Sequence, residues 1–227
     1  MNKISAKLGF WSAFICLLTF ILYMVGFMAI LIVNPPFVWT NLEDFAEYAN
    51  TYNQFYKHMA EFSMLVSSVF FVILIGAIFD FVSKSRKILV RLSIHFAVAF
   101  SITISINYFI QFTAVRLQIR EGITEGLSQF VQSFPISGVA AINMLGWTVF
   151  FGLSSIFVGF AFSGGKLEKF IKFSFIANAI NSFLGCIGYT FDIFALTFFT
   201  MYLGMGFFVM LIMISLMFYF KRSVSIS

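Results

Sequence analysis

Residues Gly9–Val33 contain no charged side chain and no proline. A helix rises about 1.5 Å per residue, so roughly 20 residues cross the hydrocarbon of a bilayer. Lipid offers no partner to a backbone N–H or C=O, so a crossing stretch of this kind closes its hydrogen bonds on itself as an α-helix. Asn34, Pro35 and Pro36 then stop it. Proline lacks the N–H and pushes the residue before it out of the helical region. The run is too long for the apolar part of a cleaved leader and has no small-x-small site before Asn34, so it is expected to remain as a first crossing.

Five further runs of this kind follow. The crossings are expected at about 9–33, 61–82, 90–114, 138–162, 170–189 and 194–220. With 61% hydrophobic and 10% charged residues, and a mean hydropathy of +0.99, no soluble domain of 227 residues is compatible with the chain. The fold class read from this pattern is all-α. It is a polytopic membrane bundle of six transmembrane helices forming one transmembrane domain over 1–227. Cys16 and Cys186 both fall inside apolar runs and read as small buried hydrophobes rather than a disulfide.

The longest loop has a pattern of its own. Leu42, Phe45, Tyr48, Tyr52, Phe55, Tyr56 and Met59 recur at three or four, with Glu43, Asp44 and Glu47 among the residues of the other face. This spacing predicts an amphipathic helix over Asn41–Met59 in the first external loop, with Thr40 and Glu43 at capping-box spacing. Such a helix suits either the headgroup layer or a lid packed on the bundle. In the second loop, Ile123, Leu127, Phe130, Val131 and Phe134 also have helical spacing, and Pro135 ends the segment.

Charge sets the expected orientation. The two termini and the turns at Ser83–Arg91 and Ser163–Lys172 share one side and hold eleven Lys and Arg residues. The opposite side holds three: Lys57, Arg116 and Arg120. Seven of the nine acidic residues, from Glu43 to Asp192, lie on that opposite side. The positive-inside rule places both termini in the cytoplasm. The net charge of +5 thus reflects topology and contact with anionic lipid, not nucleic acid.

Polar residues inside crossings carry the functional signal. Arg91, His95, Ala99, Thr103, Asn107 and Gln111 step by four along one face of the third crossing. An amide in hydrocarbon needs a partner, so this stripe is expected to face the bundle interior. Asn143 and Trp147 stand one turn apart in the fourth crossing. Asn178 and Asn181 lie in the fifth, and Asp192 is at its outer end. The depths of these residues converge on an outward-opening polar pocket between the third, fourth and fifth crossings. The candidate ligand-binding residues are therefore Asn107, Gln111, Asn143, Trp147, Asn178, Asn181 and Asp192. One shared cavity is expected for Asn107, Gln111, Asn143 and Asn181. Gly185, Gly188, Gly204 and Gly206 read as close-packing sites.

No metal or cofactor site is readable. The two histidines, His58 and His95, lie on opposite sides of the membrane. No phosphate loop, HExxH or Gly-x-Ser-x-Gly is present, and no catalytic residue can be assigned.

The segments INYFIQFTAVR and NMLGW, with the Phe-Pro turn between them, resemble small bacterial multi-pass membrane proteins grouped as families of unknown function. The likeness covers Arg91 to about Phe162 and implies a bacterial inner membrane and six helices. It assigns no site residue.

The leading functional expectation is a protein that binds or transports a small neutral or amphiphilic ligand, with membrane lipids as its surroundings. One alternative is an accessory protein that binds a partner and holds no ligand. The other is a lipid-modifying enzyme using His95 and Asp80 at the cytoplasmic face. Neither ligand identity nor oligomeric state is readable.

Overall fold

The structure is a computed structural model and describes residues 3–225. Among them there is no strand. The helices are α1 (Lys3–Val33), α3 (Phe55–Ile78), α4 (Lys84–Arg120), α5 (Gly138–Ala161), α6 (Lys166–Thr190) and α7 (Phe194–Ser223), with the short α2 (Leu42–Thr51) between α1 and α3. All but α2 are long and apolar enough to cross a membrane. The chain is a multi-pass helical membrane protein.

Several helices begin a turn or more before their apolar runs. α6 starts at Lys166 rather than 170, and α4 at Lys84 rather than 90. Long basic side chains can keep their stems along apolar surface and their heads in water, so a helix continues through them. The 37 residues of α4 span about 55 Å at the helical rise, well beyond about 30 Å of hydrocarbon.

The six long helices form a ring in sequence order. α1 packs on α3, α3 on α4, α4 on α5, α5 on α6 and α6 on α7, and α7 closes against α1. Tight turns at 79–83, 162–165 and 191–193 make α3 and α4, α5 and α6, and α6 and α7 antiparallel neighbours, while α1 to α3 and α4 to α5 are joined by the two long loops. The half of the ring nearer the termini is filled. Phe71, Phe100 and Phe151 meet at its axis with ring centroids about 5–6 Å apart. Leu74, Ile75, Ile78, Phe162, Phe175, Leu216 and Phe220 surround them, all essentially without exposure.

The other end carries a lid. Phe45 of α2 is buried with Val115 and Ile119 of α4 and Leu127 and Val131 of the second loop. Trp39 stacks on Phe134 at 4.5 Å and couples the two loops. Of the two settings open to the amphipathic helix, the structure shows the lid. The helix is shorter than Asn41–Met59. It ends at Thr51, and Phe55 already begins α3. Asn41, not Thr40, is its N-cap, and its side chain accepts from the Asp44 backbone N–H at 2.8 Å. The Tyr48 hydroxyl donates to the Pro35 carbonyl at 3.1 Å, and partial burial raises its pKa from the ordinary value. In the second loop only Leu127–Phe130 forms a single 3-10 turn.

Three helices widen to π geometry: α4 at Gln111–Val115, α5 at Leu145–Phe150 and α7 at Phe199–Met205. Each widened segment contains a threonine that donates to a carbonyl four residues back. The pairs are Thr113 to Phe109, Thr148 to Met144 at 2.6 Å and Thr200 to Leu196 at 2.7 Å. A threonine hydroxyl bonded to the carbonyl one turn back competes with the backbone N–H there and often bends a helix.

Candidate functional site

Two of the π segments, those of α5 and α7, border one cavity at the axis of the ring, in the half beneath the lid. Its volume is about 130 Å³. Its floor is Trp147, whose ring packs on Phe100 and Phe151 at 4.9 and 5.6 Å. Five methionines line the walls: Met24, Met64, Met144, Met201 and Met205. Tyr23, Tyr108, Tyr202, Thr197, Asn143 and Gln132 supply polar groups. The Tyr108 hydroxyl faces the side chains of Trp147 and Gln132. Every crossing except α6 contributes to the lining.

Polar groups gather at one edge of this cavity in a bonded network. Asn107 Nδ2 donates to Gln132 Oε1 at 2.9 Å and to Asn143 Oδ1 at 3.2 Å. Gln111 Nε2 donates to the Phe130 carbonyl at 2.8 Å, and Gln111 Oε1 accepts from the Gln132 backbone N–H at 3.0 Å. The α4 stripe thus pins the second loop over the ring and aims Gln132 at the cavity. Asn107 Oδ1 is buried and has no hydrogen-bond partner among the described residues. A buried carbonyl of this kind accepts readily from a donor brought into its surroundings.

The sequence-derived candidates divide into two groups. Asn107, Gln111 and Asn143 share the network, and Asn143 and Trp147 line the cavity itself. The remaining three lie elsewhere. Asn178 Nδ2 donates to Ser155 Oγ at 2.9 Å in the α5–α6 seam. Asn181 Nδ2 donates to the Ala177 carbonyl, and its side chain presses against Gly204. Asp192 is exposed in the α6–α7 turn with a φ of 54°. The cavity therefore lies on the ring axis, bounded by α1, α3, α4, α5 and α7, rather than between the third, fourth and fifth crossings.

The lid lies over the end of the ring away from the termini. Met24 and Tyr202 line the cavity and are 38% and 46% exposed, and both belong to the α1–α7 seam. Tyr202 meets Phe27 across that seam at 5.8 Å. The cavity is therefore least covered at the α1–α7 seam.

At the end bearing the termini, a wider cleft of about 510 Å³ is lined by Asp80, Lys166, Glu168 and Arg222 among others. Ser5 Oγ donates to Asp80 Oδ2 there. His95 is not part of that lining. It is exposed on α4, with Nδ1 2.7 Å from the Arg91 carbonyl oxygen. Among the described residues there is no group of three His, Cys, Asp or Glu side chains placed to hold a metal ion.

The residues that sequence reasoning did not single out are Gln132, the three tyrosines and the methionines. Gln132 sits in QFVQSFP, a polar residue in an apolar loop. That was a usable sign, but an irregular loop has no period to say where a side chain points. Compared with known proteins, the chain matches no protein-family model, no curated protein and no solved structure.

Proposed function

We propose that this membrane protein binds, and passes between bilayer and lid, a small neutral or amphiphilic molecule held in the axial cavity. The carrying observation is the cavity itself, with a methionine wall and one polar edge formed by Asn143 and Gln132. Methionine is flexible and polarisable, so such a wall adapts to apolar groups of different shape. The neutral amides orient a hydroxyl or amide, and no charge lines the site to recognise an ion. Size narrows the ligand. An apolar cavity of about 150 Å³ takes one benzene ring. At about 130 Å³ this one fits a single-ring or short-chain molecule, or the tip of one acyl chain, but not a whole phospholipid.

A thermal-shift series tests the reading. Wild type, Gly206→Val and Asn143→Leu would be titrated with neutral single-ring and short-chain alcohols and amides in an uncharged detergent. Gly206 lines the cavity, and a side chain there occupies its space. A ligand at 100 times its Kd stabilises by about 2.7 kcal/mol. Wild type should gain on that scale, Gly206→Val should gain nothing, and Asn143→Leu should bind about tenfold more weakly. If no compound acts, or all three proteins respond alike, the ligand-free accessory role replaces this reading.

Charge supports a plasma membrane setting with both termini cytoplasmic, since the eleven-to-three division of basic residues follows the positive-inside rule. Single cysteines at Ser83 and Ser163 should resist an impermeant thiol reagent in intact cells and react once the inner face is opened. Labelling in intact cells would reverse the orientation.

A further inference from the structure

We propose that a second pocket, beneath α2, is a binding site for a phosphoryl oxyanion. It has a volume of about 180 Å³ and is separate from the axial cavity. The end of the molecule that bears α2 holds three basic side chains, Lys57, Arg116 and Arg120, and all three line this one pocket, together with His58. They reach it from two helices. Lys57 and His58 come from the first turn of α3, and Arg116 and Arg120 stand one turn apart on the extension of α4. Asn50 and Gln54 add neutral amides, and the Asn50 side chain is tied to the Ile119 carbonyl.

Nearby carboxylates only partly balance this cluster. Glu61 takes His58 at 2.8 Å and Lys57 at 4.0 Å. Arg120 meets Glu121 at 2.9 Å, and both of those side chains are more than half exposed. Arg116 donates through Nε to the Phe112 carbonyl and forms no ion pair among the described residues. Like charges gathered in one pocket repel, and a multivalent oxyanion relieves that repulsion. The Nη groups of Arg116, the Lys57 ammonium and the Arg120 fork, which would exchange its Nε and Nη2 bonds to Glu121 for the ligand, match the several oxygens of a phosphoryl group better than the two of a carboxylate. The rest of this end is acidic, from Glu43 to Asp192. The site therefore selects by contact at short range, not by steering from a distance.

The phosphoryl group could belong to a lipid headgroup or to a free phosphate, and two arms of one experiment separate them. The full chain in uncharged detergent would be titrated with inorganic phosphate against chloride of equal ionic strength. In parallel, it would be reconstituted in phosphatidylcholine nanodiscs with and without phosphatidylglycerol. Thermal unfolding is read for wild type, the double variant Arg116→Gln/Arg120→Gln, and Lys166→Gln at the opposite end as a control. At least one anionic probe should raise the Tm of wild type. The shift should fall by half or more in the double variant and persist in the control. A response to inorganic phosphate identifies a soluble ligand, and a response to phosphatidylglycerol alone identifies a headgroup. If the double variant does not fold, Lys57→Gln is read instead, with the same loss expected. The proposal is overturned if neither probe shifts wild type, or if the pocket variants respond as wild type does. The central cavity plays no part in this readout, so the outcome is independent of the neutral-ligand reading.

Discussion

Gly204 and Gly206 stand two residues apart in α7 and answer to different neighbours. A β-carbon on Gly204 would lie 1.9 Å from Asn181 Oδ1, whereas on Gly206 the nearest atom is in the Phe20 ring at 3.4 Å. Glycine inside a helix costs about 0.5–1 kcal/mol relative to alanine through backbone entropy. Gly206→Ala should therefore stabilise by up to that amount, while Gly204→Ala displaces Asn181 and should destabilise. Thermal unfolding of the two variants in one detergent checks the contrast, and shifts of the same sign would contradict the packing described. Gly185 and Gly188 belong with Gly204. Added β-carbons there would meet Met201 at 2.5 Å and Thr197 at 2.6 Å. These glycines let α6 and α7 approach closely, as small residues do where lipid supplies no hydrophobic drive between helices. Asn181 reads differently once this contact is seen. It fills the space left by Gly204 rather than facing a ligand.

Among the elements, α2 makes the clearest separable unit. Its apolar face packs on Val115, Ile119, Leu127 and Val131, so Phe45→Ala opens the lid without touching the ring. A buried Phe→Ala change costs about 3–5 kcal/mol. That is enough to free a small lid locally. Hydrogen exchange should accelerate across Leu42–Thr51 and Leu127–Val131 and stay slow in α3 and α5, and acceleration in all of them alike would refute a separable lid. The crossings themselves were legible because a bilayer demands long apolar runs. The buried end of the α4 stripe was legible because Asn107 and Gln111 have no use on a lipid-facing surface, but its other end, Arg91 and His95, is exposed rather than turned inward. The π segments left no mark. Thr19 and Thr103 bond back to earlier carbonyls just as Thr113, Thr148 and Thr200 do, yet only the latter three sit in widened turns. Asn178 shows the matching limit. Its depth suggested a shared site, but the seam with Ser155 satisfies its amide nitrogen locally.

At the scale of the molecule, a closed ring of six helices divides along its axis. Phe71, Phe100 and Phe151 plug one half, and the lid caps the other. A cavity remains between them, least covered at the α1–α7 seam. Which helix closes the ring depends on long-range packing, and apolar composition alone does not state it, so the cavity's place could not be read in advance. The central claim is that this axial space takes a small neutral ligand from the bilayer. The most direct measurement is photo-cross-linking in nanodiscs with a neutral single-ring alcohol bearing a diazirine, followed by peptide mapping. Labels are expected on Met24, Met144, Met201 and Tyr202, and should be competed by excess unlabelled alcohol. Labels confined to lipid-facing side chains such as Ile102 and Phe218, without competition, would contradict the account.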